Sequence, residues 1–220
     1  MELNRYIDHT ILKAFAKEEN VKKLCEEAAK YNFKSVCINP YYIGFAKKYL
    51  KELNSNIEIC TVIGFPLGQN TTEVKVFEAK NAVELGATEI DLVINIAALL
   101  DEKYKYVENE IKKVREITKG KILKVIIETC YLDEEKIIKM TEICNNLEVD
   151  YIKTSTGFGT GGAVDNHVEI MNKHKKGKLK IKASGGINNR AQAEKMIACG
   201  AERLGTSRSL EICKNQLDII

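Results

Sequence analysis

The sequence predicts an α/β fold of the (β/α)8 barrel type, organised as one domain over residues 1–220. Short apolar runs alternate with amphipathic helical segments along the whole chain, giving eight strand–helix units. Strands joined through helices must run parallel. No linker, low-complexity tract or break in composition separates one part from another, and 220 residues can bury one large core. An open doubly wound sheet is the alternative, because the first strand is weak and easily miscounted.

The elements follow in order. Tyr6–Asp8 is the first strand candidate, and a helix covers Glu18–Tyr31 with Val21, Leu24, Cys25 and Ala28 on one face. Ser35–Ile38 is a strand stopped by Asn39-Pro40, followed by a helix to about Leu53. Ile57–Ile63 is the third strand. Thr72 can cap the next helix, which runs to Glu84 and stops at Gly86. Glu89–Ile96 is a strand. Asp101–Thr118 is a helix with Tyr104, Val107, Ile111 and Val114 at helical spacing. Ile122–Ile127 is a strand, and Asp133 caps a helix striped by Ile137, Met140, Cys144 and Leu147. The sixth strand begins at Tyr151 and opens into the glycine-rich TSTGFGTGG after Lys153. A helix over Ala163–Lys175, a strand over Leu179–Ala183 and a helix over Asn189–Cys199 come next. A short strand at Arg203–Gly205 and a last helix finish the chain.

Composition narrows the function classes. Hydrophobic content of 45% and charged content of 30% suit a globular protein and exclude wholesale disorder. A net charge of +3, with basic residues spread along helix faces, gives no argument for a nucleic-acid partner. No apolar run approaches the ~18 residues of a membrane span, and the N-terminal MELNRYIDHT lacks the apolar core of a signal peptide. The seven cysteines are scattered and none forms C-x-x-C, so neither a disulfide framework nor a zinc site is signalled. A cytoplasmic location is expected. His9, His167 and His174 lack H-x-x-x-H spacing and give no metal signal.

Strand parity points to chemistry. In Ile90–Asn95, the residues Ile90, Leu92 and Ile94 share the face that packs on helices, which puts Asp91 inside the barrel with Val93 and Asn95. The same alternation turns Lys153 inward with Tyr151, and Lys182 inward with Lys180 and Ser184. Lys124 and Glu128 share a face of their strand. Buried ions are costly unless paired. A structural salt-bridge network would account for each residue singly; two lysines and a carboxylate beside glycine loops suggest a reacting set. A free lysine has a pKa of about 10.4, so roughly one in a few thousand is neutral at pH 7. A neighbouring ammonium and burial both lower that value, and bringing it to about 7 takes roughly 4.6 kcal/mol. The neutral amine can then form a Schiff base with a carbonyl, an electron sink for breaking the adjacent carbon–carbon bond. Asp91 would carry protons, directly or through water. This chemistry calls for no metal or other cofactor.

Barrels often hold phosphate in the loops after strands seven and eight. Here these are Ser184-Gly185-Gly186 and Gly205-Thr206-Ser207, each able to open a helix whose free N–H groups favour an anion. Gly157, Gly159 and Gly162 also fit G-x-G-x-x-G, the phosphate turn of dinucleotide sites. Its context fails, because the next strand offers Lys180 and Lys182 where the ribose needs a carboxylate.

Eight segments resemble the deoxyribose-phosphate aldolases, a class I aldolase family with a (β/α)8 barrel. They are IDHTILK (Ile7–Lys13), VCINP (Val36–Pro40), CTVIGFPLG (Cys60–Gly68), EIDLVIN (Glu89–Asn95), KVIIETCYL (Lys124–Leu132), IKTSTGFGTGGA (Ile152–Ala163), KIKASGGI (Lys180–Ile187) and RLGTS (Arg203–Ser207). The resemblance implies reversible cleavage of 2-deoxy-D-ribose 5-phosphate to acetaldehyde and D-glyceraldehyde 3-phosphate. It implies Lys153 as the Schiff-base lysine, Lys182 as the second lysine that lowers its pKa, and Asp91 as the proton relay. It places Gly185, Gly186, Gly205 and Ser207 at the substrate phosphate and implies a homodimer or homotetramer. Asp8 lies in the IDHT motif without an assigned role. Phe158 stands where some members have lysine, and Arg208 where a second serine is common, which leaves open whether Arg208 binds phosphate or faces solvent.

Overall fold

The computed structural model describes residues 2–217. Its strands are β1 (Ile7–Ile11), β2 (Ser35–Ile38), β3 (Glu58–Ile63), β4 (Glu89–Val93), β5 (Ile122–Ile126), β6 (Tyr151–Lys153), β7 (Lys180–Ser184) and β8 (Arg203–Thr206). They form one closed parallel barrel in sequence order. β1 pairs with β2 on one side and β8 on the other, which removes the open-sheet alternative and makes this a TIM barrel.

The helices are α1 (Glu18–Lys30), α2 (Ile43–Glu52), α3 (Thr72–Leu85), α4 (Ile96–Leu100), α5 (Tyr104–Ile117), α6 (Glu134–Asn146), α7 (Asp165–His174), α8 (Arg190–Ala198) and α9 (Ser209–Leu217). The predicted stripe Val21, Leu24, Cys25 and Ala28 of α1 is buried against the barrel. Asp133 caps α6 as expected, its Oδ1 accepting from the Lys136 N–H at 2.9 Å.

Local differences from the sequence reading have physical causes. β1 starts at Ile7 and runs to Ile11, because Asn4–Tyr6 is a short 3-10 turn. β4 ends at Val93 rather than Ile96. Asn95 leaves the strand and caps the short α4, accepting from the Ala98 N–H at 3.0 Å, an element the sequence reading lacked. The cap of α3 is Thr71, not Thr72; Thr72 is the first helical residue and is buried. Lys180, expected inward, is exposed where β7 begins, beside the Tyr151 ring.

Apolar residues on the outward strand faces, among them Ile90, Leu92, Leu123, Val125, Ile152 and Ile181, are buried against the helices and form the main core. Cys37, Cys60 and Val62 form a separate small apolar cluster. Val62 is the register partner of Asp91 and Cys37 that of Cys60, so this cluster lies inside the barrel. Much of the rest of the interior carries charge, with Ser35 and Tyr151 among the neutral partners.

Candidate active site

Register brings the predicted residues together. Lys153 and Lys182 are partners across β6 and β7, and Asp91 and Lys124 across β4 and β5. Asp91 Oδ2 accepts from Lys153 Nζ and from Lys182 Nζ, each at 2.7 Å. Its Oδ1 accepts from Lys124 Nζ at 2.8 Å and from the Cys60 thiol at 3.1 Å. Lys182 also donates to Asp8 at 2.5 Å, and Arg203 to Asp8 at 2.6 Å. Glu89 closes the set by pairing with Lys124 at 2.5 Å and Arg203 at 2.9 Å. Parity could have found Glu89 and Arg203, which lie two positions before Asp91 and Gly205 on the same strand faces.

This connected network holds four cations, Lys124, Lys153, Lys182 and Arg203, against three carboxylates, Asp8, Glu89 and Asp91. Burial works against the Asp91 charge, but Lys124, Lys153 and Lys182 together outweigh it and hold the carboxyl well below the usual range. Burial likewise opposes the Lys182 ammonium, and Asp8 and Asp91 overcome it, raising its affinity for the proton. Lys182 is therefore a fixed cation. Without the Lys153 charge the count would be three cations against three carboxylates.

Lys153 is the network member that lines an open cavity of about 370 Å³. Its floor is at the C-terminal ends of the strands, where barrel chemistry sits. Gly185, Gly186, Gly205 and Ser207 line the same cavity. Gly185 and Gly186 take φ of +80° and +76°, left-handed backbone that glycine adopts without strain. A Cβ at Gly205 would lie 3.0 Å from both Lys182 Cε and Ser184 Cβ, so its bare backbone leaves room for the second lysine. Lys13 and Asn188 also line the cavity; they lie outside the strands, where parity gives no signal. Arg208 is outside the wall: it pairs with Glu211 at 3.1 Å and faces solvent. A larger hollow of about 560 Å³, lined by Ile122, Asp150, Lys180 and Glu202, lies at the opposite end of the barrel, away from Lys153.

Glu128 stands apart from the network. It follows β5 with φ of +51°, and its carboxylate accepts from the Thr156 N–H at 3.2 Å and from the Thr156 hydroxyl. Thr156 Oγ1 in turn accepts from the Phe158 N–H at 3.0 Å. Glu128 thus orders the glycine-rich segment beyond Lys153. Phe158 lines the cavity, 56% exposed, with the Phe65 ring edge-on at 5.3 Å.

All seven cysteines are free. Sequence spacing signalled no metal ligands, yet register gathers one Sγ each from Cys37 and Cys60 with an Asp91 oxygen within 4.8 Å of one another. Among the described residues no helix is long and apolar enough to cross a membrane.

The family model described as DeoC/LacD family aldolase matches residues 4–210. The chain belongs to this family. The deoxyribose-phosphate aldolase of Finegoldia magna is 53% identical over 212 residues, covering 96% of this chain and 99% of that protein. The Thermococcus kodakarensis protein of the same name is 50% identical over 219 residues, with coverage of 99% and 98%. Among solved structures, the tetrameric deoxyribose phosphate aldolase of Aeropyrum pernix superposes with a TM-score of 0.90 at 32% identity, covering 99% of this chain and 92% of that one. The matched residues 4–210 include the strand ends that carry Asp91, Lys153 and Lys182.

Proposed function

We propose that this DeoC/LacD-family chain is a class I aldolase that reversibly cleaves 2-deoxy-D-ribose 5-phosphate to acetaldehyde and D-glyceraldehyde 3-phosphate, in the breakdown of deoxyribonucleosides. The observation that carries the reading is the Lys153 amine on the cavity floor, sharing one Asp91 oxygen with the permanently cationic Lys182. Relatives at about half identity carry the matching name.

Lys153 acts as the nucleophile. Its neutral amine adds to the C1 aldehyde, water leaves, and a protonated imine forms. Removal of the C3 hydroxyl proton breaks the C2–C3 bond; the electron pair moves to the imine, giving an enamine and D-glyceraldehyde 3-phosphate. Protonation of C2 and hydrolysis release acetaldehyde and restore the amine.

Asp91 relays the proton through water, and its environment times the step. While Lys153 Nζ is charged, three ammonium groups hold the carboxylate ionised. In the enamine that nitrogen is neutral, one of the three is lost, and Asp91 gains proton affinity. The gain comes as C2–C3 cleavage turns the iminium into the enamine, so Asp91 takes up the proton leaving the C3 hydroxyl in that step and holds it for C2.

Gly185, Gly186, Gly205 and Ser207 hold the substrate phosphate, with Lys13 the cation on the same wall. We assign the enzyme to a reducing cytoplasm and to a homodimer or homotetramer, acting alone on phosphosugar and aldehydes, without nucleic acid or membrane.

Borohydride added with acetaldehyde tests the assignment. We expect a reduced two-carbon adduct on the tryptic peptide that carries Lys153, and D-glyceraldehyde 3-phosphate as product from deoxyribose 5-phosphate. An unmodified Lys153 with activity intact would remove the nucleophile. Phosphosugar binding with no trappable adduct would make the barrel a binding protein, and a different aldehyde product would assign another Schiff-base aldolase.

A further inference from the structure

The pair of thiols inside the barrel has no part in the aldol chemistry, and its surroundings suit a soft cation. Cys37 and Cys60 face each other across β2 and β3 as register partners. Both are buried, at 1% and 0% exposure, under Leu12 and Phe65. The Cys60 thiol reaches Asp91 Oδ1 at 3.1 Å, and Lys124 Nζ lies 3.1 Å from the same sulfur. With one Asp91 oxygen the two sulfurs form a three-ligand group spanning no more than 4.8 Å. Two sulfurs and an oxygen around a common point are the donor set and scale of a zinc-type site, whose metal–sulfur bonds are about 2.3 Å and metal–oxygen bonds about 2.0–2.2 Å.

We propose that Cys37, Cys60 and Asp91 form an inhibitory site for a thiophilic divalent cation such as zinc or cadmium. Net charge does not oppose the exchange. Both thiols lose a proton on ligation while the cation brings two charges, so the net charge of the surrounding network is unchanged. Lys124 and Lys182 then face thiolates in place of thiols. Entry is from the mouth: Thr10, the register partner of Cys37, lines the catalytic cavity, as does Leu12 above the thiols. The rest of the chain offers little competition. Among the described residues the one other three-ligand group, Asp8, Cys60 and Glu89, has a single sulfur and two carboxylates already paired with Arg203.

Inhibition follows from Asp91. A cation bound to its carboxylate beside Cys60 draws on the charge that Lys124, Lys153 and Lys182 share, so the anchor of the amine weakens and the relay loses proton affinity. Ligands that are soft and close select zinc or cadmium over magnesium or calcium, which take oxygen shells. Magnesium is the control ion.

Cadmium is the probe, because its bonds to thiolate give an ultraviolet charge-transfer absorption independent of turnover. We expect one equivalent of cadmium to produce the band, to abolish deoxyribose 5-phosphate cleavage with the same midpoint, and to release both effects to excess chelator. Magnesium should do neither. Bound cadmium should also protect the peptides of Cys37 and Cys60 from alkylation under partial denaturation, which tests the wild-type chain directly. Cys37→Ala should weaken binding by roughly 100-fold, at least as much as losing an outer-shell partner costs, each variant being compared with its own metal-free rate. Cys60→Ala serves where Cys37→Ala is poorly folded. A band undiminished at one equivalent of cadmium in either variant, inhibition that instead disappears in Cys130→Ser, or protection of other cysteines would overturn the site.

Discussion

Two buried lysine–carboxylate systems in this barrel have shifted in opposite directions. In the interior network, Asp91 is held strongly acidic and Lys182 strongly basic, so both stay charged. Between α3 and α5, Lys75 and Glu110 form a fully buried pair at 2.7 Å. There burial dominates: it lowers the Lys75 value against the pull of Glu110, and raises the Glu110 value against the pull of Lys75. Bond length is the same in the two places. The number of partners differs. Asp91 has three ammonium neighbours, Glu110 has one. One Coulomb contact does not repay the desolvation of two ions, whereas several around a shared carboxylate do. The network can therefore supply a fixed field for chemistry, while the pair serves as a clamp. Lys75 also donates to Gly68 O at 2.8 Å and Glu110 accepts from the Asn95 N–H at 2.9 Å, tying down the segments after β3 and β4.

The hub of the network should be the costliest to break. Asp91→Asn leaves the hydrogen-bonding shape but removes the charge that three lysines share. We expect kcat for deoxyribose 5-phosphate to fall by roughly 10³-fold, the upper range for losing a proton-transfer group. Unfolding free energy in urea should fall by about 3–5 kcal/mol at neutral pH, as when one member of a buried ion set is removed. Proton exchange at the methyl group of acetaldehyde should slow in step with kcat while phosphate binding weakens less. Equal losses in exchange and in phosphate affinity would reduce Asp91 to a structural part.

A buried partner of the hub should cost less and shift the pH profile. Lys182→Leu removes the fixed cation beside Lys153 and leaves Asp8 and Asp91 under-compensated. Both changes remove repulsion against an ammonium at that position, so Schiff-base formation should require higher pH. At neutral pH, kcat/KM should drop by roughly 10–100-fold and recover in part on the alkaline side. Lys182 itself stays charged throughout, so the wild-type profile on that side carries no titration from it. An unchanged pH profile in the variant would assign Lys182 a packing role.

The extent to which all this was legible in sequence follows from what controls each part. Strand count and helix stripes are local patterns, and the barrel came from them, as did the inward direction of Asp91, Lys153 and Lys182. Boundaries depended on competing local bonds: Asn95 left its strand to cap α4, and Thr71 took the cap expected of Thr72. Partners of the network depend on register, which parity alone does not fix. Cys37 and Cys60 look unrelated along the chain and become neighbours only once β2 and β3 are aligned. Lys75 and Glu110 were invisible for the opposite reason. Each is a charged residue on a helix, the pattern of a solvated face, and only the packing of α3 on α5 encloses them.

That pair supplies the smallest effect and the sharpest contrast. Glu110, with its raised value, binds more protons folded than unfolded above an unfolded pKa of about 4.3, so its contribution is present below that pH and is lost as pH rises. Asp8 and Asp91 are lowered and behave inversely: their contribution is present above an unfolded pKa of about 3.9 and is lost as pH falls. Removing both charges together, in Lys75→Met with Glu110→Gln, should change stability at pH 7 by no more than about 2 kcal/mol in either direction, since a lone buried pair is nearly isoenergetic with a neutral replacement. The double variant should lose the decline in stability above pH ~4.3 and keep the acid loss below pH ~3.9, measured by urea unfolding across that range. Lys75→Met alone should cost less than Asp91→Asn, because a carboxyl already raised by burial can take up a proton in place of its partner. A single variant as damaging as Asp91→Asn would mean that the clamp holds its charges as firmly as the network, and partner number would no longer explain the difference.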